Sequence, residues 1–340
     1  MKVGLLWIAP LAALVGGCGW SAGGLGVPFA QRSTTGEHFG AQPNVLSQYV
    51  YWTLKANATL PQVEVARTPL KNKSKVGNVK STSKDDLLNT SGMAVDSAGR
   101  LWILSFGTTS GSPSAALVFK LPLTAKSLPL YSFVLSHTMQ STALAFDPSG
   151  NLWVNSPGNG GVLEYAAPFK KSGTLKPKRG IVVAYGNGIA VDKSARVYLS
   201  IQSSVGTKSI AVIKPPYQNH DIYYLNGLKS PGGLIFDRKG NLYASTQDSA
   251  ALVRYNSNDL NKSDSPSIVD YQAPYANTYF AGFAFSANGD LYGADCSGVV
   301  GRIFVYPTGT KKFSNTMRPS LVYANTETSQ ARCVWGIAIK

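Results

Sequence analysis

One pattern of apolar and polar positions recurs along the chain at intervals of roughly 50 residues. A small residue opens a short apolar strand, a polar turn follows, and the second residue of the next strand is aromatic. The opening strand occurs six times, at residues 92–96, 143–147, 188–192, 233–237, 282–286 and 336–340. The aromatic residue follows the first five copies, as Trp102, Trp153, Tyr198, Tyr243 and Tyr292. Repeats of this length are typical of radially arranged four-stranded units.

The spacing of turn residues divides each unit into four strands, which in the second unit are residues 144–146, 152–155, 162–165 and 181–185. We therefore predict an all-β, six-bladed β-propeller with four-stranded blades over residues 44–340, with blades starting near 92, 143, 188, 233, 282 and 336. Small residues suit the first strand because it lies nearest the crowded axis. The aromatic column is expected to fill the space between blades.

The sixth copy stops at Lys340, directly after its first strand. Its other strands must then come from the N-terminal region, where residues 50–54 fit the second strand and residues 63–66 the third. Tyr51 would join the aromatic column. This closure removes the open sheet edges that favour aggregation.

An aspartate ends the first strand in four copies, as Asp96, Asp147, Asp192 and Asp237. We expect each carboxylate to cap its own hairpin by accepting backbone N–H groups, as in Asx-turns. Metal binding by these aspartates is disfavoured because the equivalent turns lie far apart around the ring.

The repeat resembles that of the NHL family of six-bladed propellers, whose unit reads approximately G-I-A-V-D-x-x-G-N-I-Y-V-A-D. This resemblance covers about residues 44–340 and implies a fold rather than a function. The second aspartate of the family unit is retained only as Asp295. The other copies have Ser105, Ser156, Ile201 and Thr246 at that position.

Charged residues make up 14% of the chain, whereas an average soluble domain has roughly 25%. The net charge is nevertheless +15, with lysines and arginines concentrated in residues 71–84 and 170–179. These clusters fall between strands and form either a solvated rim or a surface that recognises anionic partners. Because the N-terminus indicates export, nucleic acid is not an expected partner.

Export is indicated by Lys2 followed by an apolar stretch at residues 3–15, which is too short to span a bilayer and suits a signal peptide. Residues 15–18, Val-Gly-Gly-Cys, resemble a bacterial lipobox, which implies a signal peptide at 1–17 and lipidation of Cys18. Residues 18–43 would form a lipid-anchored flexible tether. Ordinary secretion and an uncleaved anchor are the alternatives.

We therefore expect a membrane-anchored protein of the bacterial cell envelope, on its periplasmic or extracellular face. Gly19 stands where some lipoproteins have the aspartate that retains them at the inner membrane, so the outer membrane is preferred. Cys296 and Cys333 would then lie in an oxidising compartment. The predicted topology brings them to one blade boundary, where they form either a disulfide or two separate buried thiols.

Propellers usually bind ligands around one mouth of the central channel, where second strands end and first strands begin. The candidate residues at this mouth are Asn155, Asn187, Ser200, Gln202, Gln247, Tyr279, Asp295 and Trp335. These polar and aromatic groups could contact a protein, a glycan or a small molecule. Simple solvation of the mouth explains them equally well.

Enzymatic activity is the competing hypothesis. Gluconolactonase-like propellers hold a divalent cation with Glu, Asn and Asp, and streptogramin-lyase-like propellers use a His with a metal and a Glu. This chain has Glu37, Glu64, Glu164, Glu327, His38, His137 and His220, none of them predicted at the mouth. The sequence thus favours a non-catalytic binding or scaffold lipoprotein without metal or cofactor. A divergent metal-dependent hydrolase or lyase is the alternative.

Overall fold

The structure is a computed structural model of the 340-residue chain. It describes residues 49–55, 63–67, 75–78, 90–105, 112–124, 126–183, 186–201, 208–218, 221–228, 231–246, 251–261, 268–272, 278–296, 301–310, 317–324 and 333–340. The predicted signal peptide, Cys18 and the predicted tether therefore lie outside the described residues.

The described residues form strands, with single 3-10 turns at Pro157–Asn159 and Ser257–Asp259. The strands are β1 (Tyr49–Lys55), β2 (Val63–Arg67), β3 (Lys75–Asn78), β4 (Thr90–Val95), β5 (Arg100–Ser105), β6 (Ser114–Lys120), β7 (Tyr131–Leu135), β8 (Leu144–Phe146), β9 (Leu152–Ser156), β10 (Gly161–Tyr165), β11 (Gly173–Leu175), β12 (Arg179–Val182), β13 (Ile189–Val191), β14 (Val197–Ser200), β15 (Lys208–Ile213), β16 (Ile222–Asn226), β17 (Pro231–Phe236), β18 (Leu242–Thr246), β19 (Ala251–Tyr255), β20 (Ile268–Gln272), β21 (Phe280–Phe285), β22 (Leu291–Asp295), β23 (Arg302–Tyr306), β24 (Ser320–Ala324) and β25 (Cys333–Ile339).

Within the residues that the structure describes, these strands pair into six sheets. Sheet 1 has the order β4-β5-β6-β7-β11, and sheet 2 has the order β8-β9-β10-β12. Sheets 3, 4 and 5 are the consecutive strands β13 to β16, β17 to β20 and β21 to β24. Sheet 6 has the order β25-β1-β2-β3.

The first strands of the six sheets contact one another around a closed ring. Strands β4, β8, β13, β17, β21 and β25 each contact the next, and β25 contacts β4. Glycine is needed here for close approach. A Cβ on Gly188 would lie 2.1 Å from the Gly232 carbonyl oxygen, and one on Gly336 would lie 2.4 Å from that of Ser91. The chain is therefore an all-β propeller whose inner strands meet at the axis.

Sheet 6 joins the two ends of the propeller sequence. β25 pairs antiparallel with β1, with Val50 opposite Ile339 and Trp52 opposite Ile337, and β1 pairs in turn with β2. Tyr49 and Lys340 exchange two backbone hydrogen bonds, of 2.9 and 3.1 Å. The strands of this sheet are thus those expected at residues 50–54, 63–66 and 336–340.

The turn aspartates cap their hairpins, and their carboxylates also hold the aromatic column. The Asp147 carboxylate accepts hydrogen bonds from the backbone N–H of Asn151 (2.9 Å), from its side-chain amide (2.9 Å) and from the indole N–H of Trp153 (3.2 Å). Asp96 likewise accepts the indole N–H of Trp102 at 2.9 Å. Both tryptophans are fully buried. One carboxylate therefore links the turn to the packing between sheets.

Strand β11 departs from the expected four-stranded unit. It lies in the connection between β10 and β12, two strands of sheet 2, but it pairs with sheet 1. Its partner is the outer strand β7, to which it is parallel, with Gly173 opposite Phe133. Sheet 1 consequently has five strands. The exchange covers the outer edge of sheet 1 and fastens it to its neighbour, which protects an edge that would otherwise be unpaired.

Candidate functional site

The expected mouth is the end of the channel where second strands end and first strands begin. The structure describes Asn155, Asn187, Ser200, Tyr279, Asp295 and Trp335 at this end, whereas Gln202 and Gln247 lie outside the described residues. Tyr279 is partly buried and the other five are buried, and their hydrogen bonds show which side chains are engaged in the fold.

The Asn155 side chain is buried and makes four hydrogen bonds. Its oxygen accepts the backbone N–H groups of Thr142 (2.9 Å) and Ala143 (2.7 Å). Its nitrogen donates to the Thr142 hydroxyl (2.6 Å) and to the Gly186 carbonyl (2.8 Å). This amide joins the start of β8 to the segment before β13. Asn155 therefore holds two neighbouring sheets together.

Ser200 and Asn187 lie together at the next boundary. The Ser200 hydroxyl accepts the backbone N–H groups of Asn187 (3.2 Å) and Gly188 (2.6 Å), and so fixes the entry into β13. The Asn187 carbonyl accepts the Thr142 hydroxyl at 3.0 Å. The Asn187 side-chain amide forms no hydrogen bond with any described residue. Among these candidates, it keeps a polar group available to a ligand.

Asp295 is fully buried and forms an ion pair across its own sheet. One carboxylate oxygen lies 2.7 Å from the Arg302 guanidinium, and the other accepts the Tyr279 backbone N–H at 3.0 Å. Arg302 stands opposite Asp295 in the β22–β23 pair. A buried, neutralised carboxylate of this kind stabilises the loop before β21. Because the pairing joins separate strands, the repeat pattern alone did not reveal Arg302.

Trp335 reaches over the channel. Its indole N–H donates to the Thr142 carbonyl at 3.3 Å, although β25 and β8 are separated by β4 in the ring of inner strands. The Tyr279 ring packs edge-on against it, with centroids 6.4 Å apart. Below lies an axial cavity of about 60 Å³ lined by the inner strands, including Gly92, Gly188 and Gly336. This volume suits a few water molecules rather than an organic ligand.

Thr142 connects three of these groups, although the sequence pattern did not single out this residue. Its backbone and hydroxyl bond to Asn155, its hydroxyl donates to Asn187, and its carbonyl accepts Trp335. Hydrogen bonds therefore run from sheet 6 across the channel to sheets 2 and 3. At the described mouth, these hydrogen bonds connect sheets on different sides of the channel and stabilise the closed ring.

The other predicted candidates are placed as follows. Glu164 is buried in β10 and forms ion pairs with Lys178 (3.1 Å) and Arg179 (2.6 Å). His137 is exposed, beyond β7. The remaining glutamates and histidines lie outside the described residues or, for Glu64, have an undescribed side chain. Among the described residues, no three His, Cys, Asp or Glu side chains cluster as metal ligands would, and no helix is long and apolar enough to cross a bilayer.

Cys296 follows β22 directly and is disulfide-bonded. Its backbone N–H donates to the Tyr279 carbonyl at 2.8 Å, beside the mouth. Cys333 opens β25, which contacts β22, but its side chain lies outside the described ones. The backbone thus brings these two positions to neighbouring strands, and their pairing stays a prediction.

Comparison with known proteins supports the fold. No protein-family model matches the sequence, and no curated protein matches it. Among solved structures, a protein of unknown function from Bacteroides caccae is 13% identical, with a TM-score of 0.55 over 86% of this chain and 99% of that one. A candidate 6-phosphogluconolactonase from Bacteroides uniformis is 12% identical, with a TM-score of 0.52 over 82% of each chain.

A third similar structure is a catalytically inactive virginiamycin B lyase from Staphylococcus aureus with quinupristin. It is 11% identical, with a TM-score of 0.51 over 85% of this chain and 90% of that one. At these identities the similarities establish the β-propeller fold and carry no information about the reaction or ligand of this chain.

Proposed function

We propose that this chain is a non-catalytic ligand- or protein-binding, or scaffold, lipoprotein of the bacterial cell envelope, built on a six-bladed, NHL-like propeller. Six sheets and a ring of six contacting inner strands support the count of six blades. The recurring first strand, which reads G-x-A-x-D at residues 92–96 and 188–192 and similarly in the other copies, supports the NHL-like repeat together with the aromatic residue that follows it.

One observation carries the non-catalytic proposal: the polar groups at the described channel mouth are engaged in holding the ring together. Asn155 makes four hydrogen bonds, Asp295 is paired with Arg302, and Trp335 is bonded across the channel to Thr142. A general acid or base must be able to reach a substrate proton. These groups are bonded to other parts of the ring instead. We assign recognition to the Asn187 side-chain amide, which is largely buried but forms no hydrogen bond with a described residue, and to the basic residues of 170–179.

The test compares two asparagines at the same mouth. We expect Asn155→Ala to lower the unfolding temperature, because it leaves buried backbone groups without partners. Asn187→Ala should leave the unfolding temperature unchanged while reducing recovery of partners cross-linked in envelope extracts. An Asn187→Ala protein that keeps the full set of partners would exclude this mouth as the binding surface.

The hydrolase or lyase alternative is tested on the same purified protein. Elemental analysis after dialysis against Ca²⁺, Mg²⁺ or Zn²⁺ measures whether one metal ion binds tightly per chain. The binding or scaffold proposal expects no stoichiometric metal. One equivalent that is retained, together with hydrolysis of a lactone substrate, would replace it with the enzymatic alternative.

The lipid anchor is proposed from the sequence of residues 15–18, and the membrane it enters, with the outer one preferred, is proposed with it. Metabolic labelling with a radioactive fatty acid should label the wild-type protein and not Cys18→Ser. The variant should also leave the membrane fraction for the soluble fraction. Equal labelling of both proteins would contradict lipidation at this cysteine.

We also propose that Cys296 pairs with Cys333. Proteolysis without reductant should release one disulfide-linked peptide pair that contains both residues, and reduction should separate it. A linked pair that contains Cys18 in place of Cys333 would contradict the proposal.

A further inference from the structure

A second cavity lies between sheets 4 and 5, at the opposite end of the strands from the mouth. Its volume is about 490 Å³, and it opens between the turn joining β17 to β18, the turn joining β21 to β22 and the residues that follow β23. A cavity of this size lies within the range of small-molecule sites. It does not depend on the function proposed above, because it shares no residue with the mouth.

Arg254 lines this cavity at a position that is apolar in most of the other sheets. It stands in β19 directly opposite the column aromatic Tyr243. The residue opposite the column aromatic is valine in four other sheets and Glu164 in sheet 2. The four valines are Val65, Val118, Val212 and Val305. This is an interior position between sheets, where a charged group requires a compensating partner.

Glu164 and Arg254 differ in how their charges are compensated. Glu164 is paired with two cations, Lys178 and Arg179. Arg254 is partly buried, and no described carboxylate lies within ion-pair distance of it. Its Nε is buried without a hydrogen-bond partner in the described part of the chain. The Tyr243 side chain is hydrogen-bonded both to Arg254 and to the Asp237 carboxylate. In the described part of the chain, the guanidinium therefore has no carboxylate in direct contact.

The two acidic groups nearest the cavity already have hydrogen-bond donors. The Asp237 carboxylate accepts the backbone N–H groups of Lys239 and Asn241, both at 2.9 Å, and the Asn241 side-chain amide at 2.8 Å. The buried Asp290 carboxylate accepts the Gly309 N–H at 3.1 Å and the side-chain amide of Asn288 at 2.8 Å. Neither carboxylate is paired with Arg254.

The remaining lining suits an anion that carries an apolar group. Arg238 and Lys239 are exposed at the cavity edge and add positive charge. Phe285 lines one wall and packs edge-on against Tyr243, with centroids 5.4 Å apart. Guanidinium groups bind carboxylates and phosphates through paired N–H donors, which makes Arg254 the natural contact for such a group.

We propose that the cavity between sheets 4 and 5 binds a small organic anion, whose carboxylate or phosphate pairs with Arg254 while its apolar part packs against Phe285. The ligand supplies the negative charge that this interior guanidinium lacks. Arg238 and Lys239 attract the anion to the cavity, and Arg254 holds it.

The test is calorimetric titration of the purified protein with phenyl phosphate and, separately, benzoate, at constant ionic strength set with sodium chloride. The two probes distinguish a phosphate from a carboxylate ligand. We expect saturable binding of at least one probe to one site per chain. Arg254→Val should weaken that binding about tenfold or more, because a hydrogen-bonded charge pair is lost. Lys126→Ala, which removes an exposed lysine between β6 and β7, should bind as the wild type does.

The same variants separate a binding role from a structural one. Because valine is the residue that four other sheets have at this position, Arg254→Val should fold. Without anion, its unfolding temperature should equal or exceed that of the wild type. If Arg254→Val is less stable and binds the probes unchanged, the arginine is structural and the proposal is overturned. Failure of both probes to bind the wild type overturns it too. Arg254→Gln should repeat the loss of binding.

Discussion

Replacement of Asp147 by alanine should destabilise the propeller far more than loss of an ordinary turn residue would. The carboxylate accepts three hydrogen bonds, and one of them comes from the indole N–H of Trp153. That indole is fully buried and packs against Tyr217 with centroids 5.0 Å apart. In Asp147→Ala, the indole N–H and the Asn151 amide lose their acceptors where water has little access.

The magnitude follows from those three bonds. A buried donor left without a partner costs about 1–3 kcal/mol, and a hydrogen bond to a charged group contributes about 1.5–3 kcal/mol. The Asn151 groups are only partly buried, so water recovers part of their loss. We expect a decrease of about 3 kcal/mol in the free energy of unfolding, or about 5–10 °C in the unfolding temperature. Urea unfolding followed by tryptophan fluorescence and thermal unfolding followed by circular dichroism measure these changes.

Asp221→Ala is the matched control, since it removes the same charge from another turn. The Asp221 carboxylate accepts the Gln218 backbone N–H at 2.8 Å at an exposed position. That change should lower the free energy of unfolding by about 1 kcal/mol or less. If Asp147→Ala destabilises the protein no more than Asp221→Ala does, the carboxylate does not support the aromatic column and the reasoning fails.

Two further predictions concern ring closure and pH. Deletion of residues 336–340 removes the buried Ile337 and the pairing of residues 337–339 with β1, so the free energy of unfolding should fall by about 5 kcal/mol. Lys340→Ala should change it little, and equal urea midpoints for the deletion and the wild type would contradict the closure. Burial raises the pKa of Tyr243 from 10.0 to about 12. The neutral phenol of Tyr243 therefore makes its full contribution to the free energy of unfolding below pH 10, and this contribution is lost as the pH rises towards 12. The tyrosinate absorbance that is lost in Tyr243→Phe should therefore appear in the wild type together with unfolding, and its appearance near pH 10 before any unfolding would contradict this.

The recurring strands could be predicted from the sequence, because the equivalent strands of each repeat pack in the same environment. The inner glycines, the column aromatics and the turn aspartates recur because the axis, the space between sheets and the hairpin are alike in every unit. The pairing of β25 with β1 follows from the same logic. Strand β11 was not predicted, because a segment that leaves sheet 2 to pair with sheet 1 has no counterpart in the other repeats.

The strand positions of the described mouth residues could be predicted from the repeat, but their hydrogen-bond partners could not. Asn155 and Trp335 have the residue types of a recognition site, and their placement at the ends of strands suggested one. Their partners are backbone groups of Thr142, whose proximity depends on the curvature of the closed ring. A local pattern carries no information about which carbonyl an indole will reach across a channel. Residue type and strand position therefore could not separate a binding group from a structural brace.

The position opposite the column aromatic shows how individual sheets depart from the repeat. Four sheets have valine there, which the shared packing between sheets explains. Glu164 departs from valine, and sheet 2 provides Lys178 and Arg179 to compensate it. Arg254 also stands in place of valine, but it carries a positive charge. It lines a cavity, and no described carboxylate forms an ion pair with it. Because packing alone would favour a fifth valine, we attribute the charge at Arg254 to the anion that we propose for this cavity.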